Sequence, residues 1–153
     1  AGPNFSTKQG SNGVVKNYTV ITTLGSEGDA ISAPVTMSLQ GMNRGLAAHV
    51  VLGNYGYDNY VLGANIDAAV TSTWNAGAGF TPVGSSYPQF NGTFDGLGHS
   101  ISNLTINRPS TSYVGLFGAT GSTSTIRNVG LVNANVIGNK SVGALVGGGQ
   151  LAP

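Results

Sequence analysis

A chain of 153 residues is long enough for one domain with a real core. Only 7% of it is charged, against about a quarter in ordinary globular domains, while glycine fills 25 positions and the net charge is +1. Apolar residues at 40% exclude a disordered chain, six scattered Lys/Arg exclude a nucleic-acid-binding stripe, and zero cysteines exclude a disulfide scaffold or thiolate metal centre.

Apolar runs break after four or five residues, so no segment reads as a transmembrane helix. Much Gly, Ser, Thr and Asn between regularly spaced Val, Ile, Leu and Phe predicts an all-β fold with many tight turns. No leader peptide is visible at Ala1, which fits a processed chain or an internal piece of a longer one.

In chain order, KNYTVITTLG (Lys16–Gly25) has a strand pattern ending in glycine. The loop GSEGDA follows, with Glu27 and Asp29 as the only acids close in sequence. Between Thr36 and His49, Leu39, Met42 and Leu46 fall at helical spacing, and Ala47 and Ala48 add propensity. A short capping helix is expected there, lying across an exposed strand edge, although Gly41 and Gly45 weaken it. Residues 1–49 thus read as a lead-in, and 50–153 as a repeat region continuous with it.

VVLGNYG (Val50–Gly56) is echoed ten residues later by YVLGANI (Tyr60–Ile66). Between the copies, GNYGYDNY loops outward. It is either a solvated turn or a contact surface for proteins or sugars, with Tyr55, Tyr57 and Asp58 as the contact residues.

The stretch FNGTFDGLGHSISNLTI (Phe90–Ile106) sets Asp95 and His99 across a glycine loop, which invites a catalytic reading. Asn91-Gly92 and Asp95-Gly96 instead read as tight turns, Phe90 and Phe94 as core, and Asp95 as a turn-forming side chain. His99 reads as a turn residue bonded to backbone. The glycines lack the dinucleotide-binding pattern, since no helix follows. His49 and His99 alone cannot hold zinc. Asp67 and Asp95 lie 28 residues apart, near one repeat, which leaves an acid pair or an ion site in their turns as the weaker alternative. No catalytic residue, cofactor or metal site is expected.

The repeat itself is visible by self-comparison. ISNLTI (Ile101–Ile106) aligns with IRNVGL (Ile126–Leu131) at an offset of 25, and YVGLFG (Tyr113–Gly118) with SVGALVG (Ser141–Gly147) at 28 for the Val-Gly pair. Offsets of this size are about one turn of a parallel β-helix, a β-solenoid. Apolar residues stutter by one position beside Asn103 and Asn128, as at a corner where a residue in the left-handed region turns the inward face. Layers about 4.8 Å apart would stack these asparagines into an internal ladder. Asn-x-Ser/Thr sequons begin at Asn4, Asn17, Asn91, Asn103 and Asn139, few enough to arise by chance in so polar a chain.

FNGTFDGLGHSISNLTI with GLFG, IRNVGL and VGALVG resembles the GLUG repeat region of very large filamentous-haemagglutinin-type adhesins, exported by two-partner secretion. SLQGMNRGLAAH, YVLGANID and TSTWNAGAGFTPVG are similar to the segment leading into those repeats, so the likeness covers about Thr19 to Gly147. The resemblance implies a right-handed parallel β-helix, secreted unfolded across a Gram-negative outer membrane and displayed at the bacterial cell surface. The implied partner is a host or bacterial cell-surface protein or glycan. Similar repeats flank the catalytic domain of some bacterial immunoglobulin A peptidases, but no HExxH zinc motif occurs here. The family often carries an acid where this chain has Asn65, which weakens an ion role beside Asp67.

A structural, adhesive segment is therefore the leading expectation. Homotypic end-to-end stacking into a fibre is the second, because the sequence stops within a repeat at Gly147–Pro153 and so leaves an open end. A polysaccharide-binding or -cleaving β-helix is the third, and the shortage of charge argues against it.

Overall fold

Short strands carry most of the regular structure, and they pair almost wholly in parallel. The computed structural model describes residues 4–7, 16–31, 37–44, 46 and 59–149. Strand β1 (Asn4–Thr7) is antiparallel to β2 (Lys16–Ile21), the one antiparallel pair among the named strands. Parallel additions extend this sheet through β3 (Asn59–Leu62), β5 (Thr93–Asp95) and β9 (Thr125–Arg127). A second sheet stacks β4 (Ile66–Asp67), β6 (Ser100–Ser102) and β10 (Gly130–Val132). Two further sheets pair β7 (Thr105–Asn107) with β11 (Asn135–Ile137), and β8 (Phe117–Thr120) with β12 (Val146–Gly149).

Parallel neighbours need a long crossover, most often a helix. Here it is made of strands: between β5 and β9 the chain gives one strand to each of the three other sheets. Helical structure among the described residues is limited to 3-10 segments at Glu27–Ala30 and Ala69–Gly77 and a short helix at residues 42–44 and 46. Among the described residues the regular structure is mostly strand, as the composition predicts.

The register corrects one reading of the repeat. Ile101 pairs with Leu131 and Ile106 with Val136, an offset of 30, while Ile126 pairs with Phe94. ISNLTI therefore lies on LVNANV (Leu131–Val136), not on IRNVGL. Both hexads carry asparagine at the third position, so the local pattern alone does not separate them. The second alignment holds: Val114 bridges Val142 at the expected offset of 28.

Stacking sends one side chain of each pair into a continuous core. Phe94, Ile101, Leu104, Ile106, Val114, Leu116 and Phe117 are all fully buried. The Phe117 ring meets Phe90 at 4.8 Å and Phe94, edge to face, at 5.2 Å. Each such side chain contributes about 1.5–3 kcal/mol by leaving water. The third layer is different. Ile126, Val129, Leu131, Val136, Leu145 and Val146 are only partly buried, packed on the layer below.

In the lead-in, Leu39, Met42 and Leu46 are buried, as the helical spacing predicts. Gln40 anchors this segment: its amide accepts from the Thr81 N–H and donates to the Thr81 carbonyl, both at 2.9 Å. Asn43 Nδ2 adds a bond to the Pro82 carbonyl at 2.9 Å.

The GLFG and VGALVG glycines have a packing reason. A Cβ on Gly115 would run into the Gly143 carbonyl oxygen, and one on Gly147 would meet Val114 N at 2.5 Å and Gly118 O at 2.7 Å. Backbone from adjacent layers approaches so closely that only glycine fits.

Candidate functional site

The chemistry-bearing residues gather at the corners where strands end. Asp95 closes β5 and is 7% exposed. Its Oδ1 accepts from the Leu97 N–H at 2.9 Å and from Asn128 Nδ2 at 3.1 Å, while Oδ2 accepts from Arg127 Nε at 3.0 Å. Asp67, which closes β4, repeats the arrangement: its Oδ1 accepts from the Ala69 N–H at 3.0 Å and from Asn103 Nδ2 at 3.2 Å. In each case a carboxylate folds its own turn and is gripped by an asparagine from the next layer.

The electrostatics follow from these bonds. Burial pushes the Asp95 pKa up, but the Leu97 N–H, the Asn128 amide and the Arg127 guanidinium outweigh it and hold the pKa below the ordinary value. The Ala69 N–H and the Asn103 amide do the same for Asp67, against a small effect of burial. Both are ionised at neutral pH and committed to structure.

Asn103 and Asn128 do take left-handed conformations, with φ of 60° and 56°, as expected of corners. The ladder between them is not formed. Asn103 lies one position past the Ser102–Val132 pair and therefore stacks on Asn133, itself at φ 54°, while Asn128 follows the Asp95–Arg127 pair. The 25-residue alignment places the two asparagines on one column; the observed register places them at different corners, one past β6 and one past β9.

Asp67 and Asp95 are likewise not brought together by pairing: Asp67 is opposite Ser102 and Asp95 opposite Arg127, in separate sheets. Glu27 Oε2 accepts from the Asn75 N–H at 2.6 Å, and Asp29 accepts from Ser26 and Ser38 hydroxyls. His99 sits in its turn through a backbone bond to Gly96 O, and its Nδ1 lies 3.2 Å from Asn65 Oδ1, which also takes the Ser100 N–H. Among the described residues no group of three or more His, Cys, Asp or Glu could hold a metal ion. His49 and the loop residues Tyr55, Tyr57 and Asp58 lie outside the described residues.

Sequence reasoning missed Arg127 as the partner of Asp95, because that contact exists only in the correct register. It also missed a cleft of about 420 Å³ between the helical segment and the 81–88 turn, lined by Asn43, Leu46, Pro82, Ser85 and Pro88 among others. Its lining carries no charge, and the Asn43 amide and Ser85 hydroxyl are bonded to backbone carbonyls. Nearby, Arg108 reaches Gly79 O and Thr81 Oγ1 from a partly buried position, with its Nε unpaired.

No family model matches the chain, and no solved structure matches it. Over 112 residues it is 43% identical to halomucin of Haloquadratum walsbyi, a match covering 71% of this chain and 1% of that protein. Over 71 residues it is 37% identical to a protein named as a Gly-rich membrane protein of Evansella cellulosilytica, covering 46% of this chain and 8% of the relative. The chain thus spans a small fraction of the relatives it matches. No helix among the described residues is long and apolar enough to cross a membrane.

Proposed function

We propose that the chain is a non-enzymatic structural segment of a very large cell-surface protein, built as a right-handed parallel β-helix and used in adhesion to a surface protein or glycan. The observation that carries this reading is the repeated in-register pairing of apolar residues: Phe94 with Ile126, Ile101 with Leu131, Ile106 with Val136 and Phe117 with Val146. Such a stack is extended by adding layers, which suits a chain whose match spans 1% of one relative and 8% of another. The relatives' names, a halomucin and a membrane protein, favour a surface setting. The GLUG-type motifs add the adhesin reading.

A polysaccharide-cleaving β-helix has less in its favour, since Asp67 and Asp95 each accept hydrogen bonds from their own turn and from an asparagine of the next layer. The adhesive function is tested with beads coated with the folded chain against cells, with heat-unfolded chain as the control. Folded chain is expected to bind in excess. Equal binding removes adhesion and leaves a structural spacer.

A further inference from the structure

Five Asn-x-Ser/Thr sequons occur in the chain, and the fold sorts them. Such a sequon can hold a glycan where it lies in a surface turn with room for a bulky, solvated group. Asn103 fails, because its amide donates to Asp67 Oδ1 at 3.2 Å across a corner. Asn91 fails as well: it is partly buried, donates to the Gln89 carbonyl at 3.3 Å and packs against Gly121. The sequons at Asn4 and Asn17 are held extended in the antiparallel β1–β2 ladder. There Asn4 is opposite Thr19 and Asn17 opposite Ser6, so each asparagine faces the hydroxyl residue of the other motif.

Asn139 meets the conditions. It lies in the bend between β11 and β12, is exposed, and its side-chain amide bonds to no described residue. Ser141, which supplies the hydroxyl of the sequon, is exposed at φ 54°, so the chain turns within the motif. Backbone bonds hold this turn to the layer below: the Asn139 N–H donates to Thr111 O at 2.8 Å, and the Tyr113 N–H donates to Lys140 O at 2.9 Å. Its exposure does not depend on what lies beyond the third layer. Pro109, Ser110 and Thr111, in the matching turn of the second layer, stay exposed although the third layer is stacked on them. We propose that Asn139 is a glycosylation site, carrying carbohydrate on its side-chain nitrogen. The donor is a sugar activated by phosphate at its anomeric carbon. Asn139 Nδ2 bonds to that carbon, the carbon–oxygen bond to phosphate breaks, the phosphate leaves with the electron pair, and the amide proton passes to a base of the transferase. The proposal rests on the surface setting given above and not on adhesion.

Mass mapping of peptides from the protein isolated from its own cells is the test. The peptide containing Asn139 is expected to carry added sugar, and those containing Asn91 and Asn103 are expected to be bare. Asn139→Gln and, separately, Ser141→Ala should each abolish the added mass, since one removes the acceptor and the other the hydroxyl of the sequon. A bare Asn139 overturns the proposal, as does sugar on Asn91 or Asn103. Sugar found on Lys140 instead, or retained in Ser141→Ala, overturns it too. The mapping of unmodified protein decides the matter even where a variant misfolds. The surface setting is read separately, by labelling intact cells with a membrane-impermeant reagent.

Discussion

Asn128 Nδ2 lies 3.1 Å from Asp95 Oδ1, and with that bond the corner of one strand layer is fastened to the corner of the next. The asparagine adopts φ 56°, so it turns the chain and grips the layer below at once. Asn128→Ala loses a bond to a mostly buried carboxylate and strains the left-handed backbone, and is expected to cost about 1–3 kcal/mol. Asn128→Gly keeps the backbone and loses only the amide, so it should cost less than Asn128→Ala. Urea unfolding of the two variants separates the backbone effect from the hydrogen bond; equal costs would show that the backbone conformation contributes nothing.

Lowered carboxylate pKa values make stability depend on acid. Asp95 and Asp67 both lie below their ordinary values when folded, so their stabilisation is fully present above the unfolded pKa of about 3.9 and is lost as pH falls through the folded values. Thermal midpoints should be flat from neutral pH to about pH 5 and drop below about pH 4. Asp95→Asn should lower the plateau and shallow the acid drop, since its contribution no longer titrates. An acid limb unchanged by that variant removes Asp95 from the account.

The register is open to a covalent test because the chain has no cysteine of its own. Ser102 and Val132 are direct partners on neighbouring parallel strands, within the reach of a disulfide. Ser102→Cys with Val132→Cys is expected to oxidise to an intramolecular bridge. Ser102→Cys with Arg127→Cys, the pair that a 25-residue repeat would bring together, is expected to stay reduced. Mass spectrometry after mild oxidation reads the outcome, and bridging of the second pair would restore the shorter repeat.

Close approach at the glycine corner makes Gly115→Ala severe. The added methyl meets the backbone of Gly143 and Gly147, which no side-chain rotation can relieve. A loss of about 1–3 kcal/mol or more is expected. Gly28→Ala, where a Cβ would meet nothing within 4 Å, should lie within about 0.5 kcal/mol of the parent. Thermal unfolding of both variants checks the contrast.

Core truncation should report the difference in burial between paired positions. Ile101→Ala removes a fully buried side chain and is expected to cost about 2–5 kcal/mol. Leu131→Ala, at its partly buried partner position, should cost less. Equal losses in urea unfolding would mean that burial does not separate the two positions.

By itself the sequence determined the kind of structure. Its alternating apolar residues required strands, its asparagines and glycines marked the corners, and the spacing of Leu39, Met42 and Leu46 located a buried segment of the lead-in. These are local properties, set by side-chain period and backbone tolerance, and they survive a shift in register. What lies on what is not local. ISNLTI fits two hexads almost equally well, and only the filling of a shared interior by Phe94, Ile101 and Phe117 selects the offset of 30 for that hexad. Once the layers are set, Asp95 meets Arg127 and Asn128, and Asp67 meets Asn103. Contacts between residues thirty positions apart exist only after the chain has closed a full circuit of its sheets, so the tertiary structure alone decided them.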